Sequence, residues 1–463
     1  MSERKTVKNC FLPILLGALL TGFAWRVRGT GGWGAAWGLL NAGMLLTLYL
    51  LAVRGRRDGA SLSLVALTAF SFMFTAPAWG TLLTQITGVM TVTYAAGEQT
   101  VFVSPLSGVI LMLCMGFGLA ALFGVTLGRV FSGKPWRLRD YAAVLIVFLI
   151  VAYGAKASVA HWIVKLVQPQ TVEAFHKGLT EAGIEKTPFA AYLAHFNAEG
   201  WAKKIAGGRH YYACVSAFSS ALGSVAAILA ARFLAKDKYA AKIGLAVCGA
   251  FAVSITVADL FFWFGSGGYH MEQGFTLPQG FAAWSLWEYF TGFLAGGIIT
   301  AVVLKTAPDA PAGETLLQKL PEKPKTVFLY LLCWVGLIGC NAVRPLQRRL
   351  DENTTVMIVG IAVGVIAVAA LSLALRKRCG WYLQNVPMAR LAPALCAAFV
   401  VYDTIVYLFI STDEPAILSM DQLHHILVVI SCAAVTAYCV WLFRGRPETE
   451  RQSSPPPPAE RDL

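Results

Sequence analysis

Arg26 and Arg28 stand two positions apart within Gly22 to Gly38, a stretch rich in glycine and tryptophan that separates two apolar runs. On a continuous α-helix, side chains two apart point roughly 200° away from each other. A turn at Gly29, Gly31 and Gly32 is therefore the element expected to bring both guanidinium groups together. Converging arginines beside free backbone N–H groups suit a carboxylate or a phosphate. The same residues also suit a helix end at a membrane surface, with Trp25 and Trp33 as interfacial anchors.

Three carboxylates lie inside apolar runs: Asp259 in Ser254 to Phe264, Glu288 in Trp284 to Gly292, and Asp403 in Phe399 to Tyr407. An ionisable group in mid-membrane costs at least about 2.5–3.5 kcal/mol, so it faces a cavity or a partner. Each lies about one to two helical turns from the same end of its run. Arg26, Arg28, Glu288 and its neighbour Trp287 are the candidate substrate-binding residues, and Asp259 and Asp403 the candidates for carrying a coupling ion or proton. Lys156, His161 and Arg344 supply further cations at that level. Interhelical ion pairing that only holds a bundle together is the competing role for all of them.

All seven histidines, including the adjacent pair His424-His425, fall at that same side, among many tryptophans and tyrosines. Adjacent imidazoles diverge on a helix, and there is no His-Glu-x-x-His or Cys-x-x-Cys pattern, so no metal site is expected. Walker A, nucleophile-elbow and haem-attachment sequences are also missing, so no cofactor is expected.

The elements that must position these residues are membrane spans. Only 14% of the 463 residues are charged and 57% are hydrophobic, with mean hydropathy +0.62, whereas soluble proteins carry about 25% charged residues. Spans of about 20 apolar residues fit at 10–25, 33–53, 61–80, 105–128, 141–163, 211–235, 242–264, 284–304, 326–343, 355–375, 389–411 and 423–443. The fold expected is an all-α polytopic bundle of about twelve transmembrane helices over residues 1–443.

With both termini inside, the inner segments collect 26 of the 38 lysines and arginines. That bias sets the orientation and assigns the net charge of +13 to loops rather than to nucleic acid binding. The implied partner is the lipid bilayer, and the implied place a bacterial-type inner membrane. Residues 164–208 form the longest outer segment, with short amphipathic helices expected there. Residues 305–325 read as a proline-rich inner linker, and 444–463 as a disordered inner tail. Eight of the ten cysteines fall inside apolar runs, so no disulfide framework is expected.

Trp25-Arg26 followed by Gly31-Gly32 resembles the first-span signature of sodium-coupled neurotransmitter-type symporters, Trp-Arg-Phe-Pro-Tyr before a glycine run. Val27, Arg28 and Gly29 replace its last three letters, and the likeness extends no further, so it assigns no family. Two functions are expected from the residues themselves. One is secondary transport of a small anionic or zwitterionic solute coupled to an ion or proton. The other is a membrane-embedded transferase acting on a lipid-linked or cell-envelope glycan at the outer face, with a carboxylate as base and arginines holding a phosphate.

Overall fold

The apolar runs become helices that bury backbone hydrogen bonds within themselves, the arrangement a bilayer interior demands. The computed structural model describes residues 10–30, 34–54, 62–74, 82–134, 136–265, 280–307, 388–410 and 416–444, with a few positions between 355 and 366. Its principal helices are α1 (Phe11–Thr30), α2 (Gly34–Arg54), α3 (Leu62–Phe72), α4 (Pro105–Leu119), α5 (Ala121–Ser132), α6 (Leu138–Lys156), α11 (Gly208–Phe233), α12 (Lys238–Ala258), α13 (Leu260–Gly265), α14 (Ala283–Thr306), α15 (Met388–Phe409) and α16 (Leu423–Arg444). Between α6 and α11 lie four short helices: α7 (Val159–Val167), α8 (Pro169–Glu181), α9 (Pro188–Ala194) and α10 (Glu199–Ala202).

Among the described residues seven helices are long and apolar enough to cross a membrane, and an eighth if the α4–α5 pair, bent by 45° at Ala120, is one span. The chain is a helical, multi-pass membrane bundle. The segment 326–343, most of 355–375, nearly all of the 305–325 linker and the tail beyond Arg444 lie outside the described residues. The fifth span begins earlier than expected and stops at Lys156, and the chain breaks at Ala157-Ser158 before α7, so His161 belongs to the short helices instead.

Helices approach closely where side chains are smallest. A Cβ added at Gly17 would come within 2.2 Å of Thr300 Oγ1, and one at Gly296 within 2.2 Å of Thr21 Oγ1. Gly292 and Gly296 thus form a Gly-x-x-x-Gly face on α14 against α1, the packing device of bilayer helices, where dispersion rather than water exclusion drives association.

One feature was not legible as a span at all. Residues 89–102 form an antiparallel hairpin, β1 (Val89–Tyr94) with β2 (Gly97–Phe102), in which Met90, Val92 and Tyr94 point inward and Thr91 and Thr93 outward. This is the period-two alternation of a half-buried strand. The hairpin docks on α8 through Lys177 Nζ to Gln99 Oε1 at 2.9 Å and Tyr94 OH to Ala174 O at 3.4 Å. Hairpin and short helices together make a cap over one end of the bundle.

Cross-links fix which helix ends share that side. The α13 helix touches the 3-10 turn Leu83–Thr87 that leads into β1, and Phe262 packs on Trp284 and Trp287 at the start of α14. At the opposite end Tyr49 OH donates to Pro13 O at 2.6 Å and Arg54 donates to Ala307 O. The last turn of α1 and the first turns of α14 and α16 are therefore all at the capped end.

Candidate functional site

Helix α1 stays helical through Thr30, so the expected glycine turn is not what brings the two arginines together. Their long arms do so instead. Arg26 Nη1 donates to Glu288 Oε2 at 2.6 Å, and Arg28 Nη2 lies 3.5 Å from Oε1 of the same carboxylate. The three side chains are at most 5% exposed. Arg28 reaches round the helix by passing over Gly38 of α2, where a Cβ would sit 2.0 Å from its Cγ. Its guanidinium then lies over the Trp25 ring, 4.7 Å from the centroid, a cation–π contact that offsets some of the lost hydration.

Around this cluster the capped end contributes imidazoles and a phenol. Arg26 lies 5.9 Å from the Tyr407 ring centroid. Tyr407 OH and His425 Nδ1 are 2.8 Å apart, and His425 Nε2 is 3.2 Å from Ser419 Oγ. The rings of His424 and His425 do not diverge, as adjacency on a helix suggested, but lie 4.0 Å apart at the start of α16. Tyr289 OH and Ser431 Oγ, 2.7 Å apart, tie α14 to α16 just beneath.

Asp403 lies one turn along α15 from Tyr407. Its Oδ2 accepts from Asn41 Nδ2 of α2 at 2.8 Å, and both residues are fully buried. Asp259 is also fully buried, but neither of its oxygens accepts a hydrogen bond and no ion pair reaches it among the described residues. Trp287 is 1% exposed, packs on Trp284 and Phe262, and finds no acceptor for its indole Nε1 among the described residues. The structure thus brings Glu288 to the two arginines and leaves Asp403 one turn from Tyr407, the ring that Arg26 faces, while Asp259 stands apart.

The other cations expected here go to the cap. Lys156 Nζ donates to Asn197 Oδ1 at 3.1 Å. His161 has Nε2 2.6 Å from Lys156 O and Nδ1 2.8 Å from Tyr211 OH, and burial holds its imidazole below the usual value. Arg344 lies outside the described residues. Among the described residues no three His, Cys, Asp or Glu side chains are grouped to hold a metal.

A cleft of about 530 Å³ opens on the cap, lined by Lys203, Lys204, Arg209, His210 and three threonines, with no carboxylate in its wall. Lys203 shares its charge with Glu199 at 3.2 Å. Gly207 beside it has φ +71°, and a Cβ there would meet the Ala174 carbonyl carbon at 2.7 Å, so both backbone and space require glycine.

Asn41 was not singled out from the sequence. The signal was present: a lone amide between Leu40 and Ala42 in an otherwise apolar span has to find a polar partner. No known protein family matches the chain, no curated protein is similar to it, and no solved structure resembles it.

Proposed function

We propose that the protein is a secondary transporter of a small anionic or zwitterionic solute, coupled to a proton or ion, in a bacterial-type inner membrane with both termini inside. The observation that carries this reading is the buried bridge from Arg26 and Arg28 to Glu288 across the α1–α14 seam. Two guanidinium groups holding one carboxylate form a receptor for an anion of that shape, already occupied by an internal one. An incoming carboxylate or phosphate competes for the same donors. Glu288, once displaced in a buried place, takes a proton or the ammonium group of a zwitterion.

Trp287, next to Glu288 in sequence, carries a buried indole N–H that a solute could use, and Asp403 lies one helical turn from Tyr407, which Arg26 faces. With the capped end outside, the cationic cleft raises the local concentration of anions at the entry side. Each anion that displaces Glu288 loads one acid, which ties solute entry to proton entry.

The test is uptake by purified protein in liposomes over a panel of organic anions and amino acids, with and without an inward proton gradient. Gradient-driven uptake in the wild type, with Glu288→Gln retaining binding but losing the gradient dependence, is the expected result. Well-folded protein that moves no solute on the panel overturns the reading. The chain Tyr407–His425–Ser419 supports the rival, a transferase on a lipid-linked glycan, because a phenol and an imidazole in hydrogen-bond contact can relay a proton. Product formation in detergent, where no gradient exists, would select that rival.

A further inference from the structure

The Asn41–Asp403 contact leaves a particular deficit. Asn41 Nδ2 reaches Asp403 Oδ2 at 2.8 Å, yet among the described residues neither Asn41 Oδ1 nor Asp403 Oδ1 has a hydrogen-bond partner, and both side chains are fully buried. An ionised carboxylate in this position keeps a full charge on a single neutral donor. One proton on Asp403 Oδ1 removes the charge and turns that orphaned oxygen into a donor, for which the orphaned Asn41 Oδ1 of the same pair is an acceptor. Turning the amide over does not avoid the proton, because it sets two oxygens 2.8 Å apart, a contact that itself needs a hydrogen between them.

Among the described residues no nearby charge provides another way out. On α15 the titratable neighbours are Cys396, Tyr402 and Tyr407, the last paired with His425, and on α16 they are Cys439, Cys432 and the imidazoles His424 and His425. The α2 helix presents Asn41, with Tyr49 and Arg54 towards its far end. On α1, Arg26 and Arg28 are engaged with Glu288, and neither forms an ion pair with Asp403.

We infer that Asp403 and Asn41 form a proton-binding site between α2 and α15, loaded in this structure, and that release of its proton is the coupling step. Asn41 is the positioning residue. Its amide serves the loaded acid as acceptor and the ionised acid as donor, so the proton stays exchangeable in a place that would otherwise trap it. The coupling role rests on the transport reading, whereas the proton site does not.

The experiment is infrared difference spectroscopy on the full chain in lipid vesicles, with aspartate carboxyls isotopically labelled, titrated across neutral pH. A protonated-carboxyl band is expected that disappears in Asp403→Asn and persists in Asp259→Asn. In Asn41→Leu the band should titrate at higher pH, with proton affinity raised about fivefold, because a hydrogen bond to the charged form outweighs one to the neutral form by about 1 kcal/mol.

The exchanged pair Asn41→Asp with Asp403→Asn keeps one acid and one amide. It should restore a protonated band and the wild-type thermal midpoint even if either single variant folds poorly. Absence at neutral pH of any band assignable to Asp403 overturns the site. A band without transport of any solute sinks the transport reading alone, and proton-driven transport without the band sinks the site alone.

Discussion

Arg26 and Arg28 differ in how they are held, and that difference sets what each substitution should do. Arg26 makes the shorter contact to Glu288, at 2.6 Å, while Arg28 combines a longer one with a stack on Trp25. A lysine can keep the charge but not the planar fork or the stacking face. Arg26→Lys and Arg28→Lys are each expected to insert and fold while lowering transport kcat/KM by about tenfold or more. Uptake kinetics beside a thermal melt separate this from damage to the bundle. Unchanged kinetics in both variants would return the arginines to an interfacial anchoring role. Gly38→Ala adds a Cβ where the Arg28 arm passes, so it should reproduce the Arg28→Lys defect without touching a charge.

At the scale of elements, the α1–α14 seam and the cap make separate demands. Gly296→Val places branched carbons against Thr21 and should destabilise the bundle by about 1–3 kcal/mol through overpacking. A lowered thermal midpoint in detergent would show it, and no change would mean that α1 and α14 do not pack tightly at Gly296. The cap turns on His161, neutral between Tyr211 OH and Lys156 O.

Burial lowers the His161 value in the folded state, so the folded protein binds fewer protons than the unfolded chain. Its contribution is complete above the ordinary imidazole value of about 6.5 and is lost as pH falls below it. Amide protection in α7 to α9, referred to the intrinsic exchange rate at each pH, should therefore fall between roughly pH 7.5 and roughly pH 5.5, and His161→Phe should abolish that dependence. Equal protection at both pH values would remove His161 as the cause.

For the whole molecule, the decisive measurement is sidedness. Reporters fused after Arg57, Arg139 and Lys323 are expected in the cytoplasm, and those near Lys186 and Gln273 outside. The structure adds a position to this set, because the hairpin docks on α8, so a reporter at Glu98 must share the side of Lys186. A cytoplasmic Lys186 would put the arginine cluster at the inner face and reverse the direction in which anions are drawn.

Hydropathy alone determined that this chain is a helical membrane bundle, because burying backbone in lipid leaves helices as the ready solution for long apolar runs. It also picked out Arg26, Arg28, Glu288 and Asp403, since an ionisable group in an apolar run is conspicuous whatever its partner. Their partners were not legible. Glu288 lies 262 positions from Arg26, and Asp403 lies 362 from Asn41. Such pairings follow from which helix faces pack, set here by glycines and threonines that hydropathy treats as filler. The hairpin escaped for a related reason: six alternating residues carry little signal beside runs of twenty. The break after Lys156 escaped because α7 is apolar enough on one face to extend the span on paper. Only packing against Tyr211 and Tyr192 shows that its other face belongs to the cap.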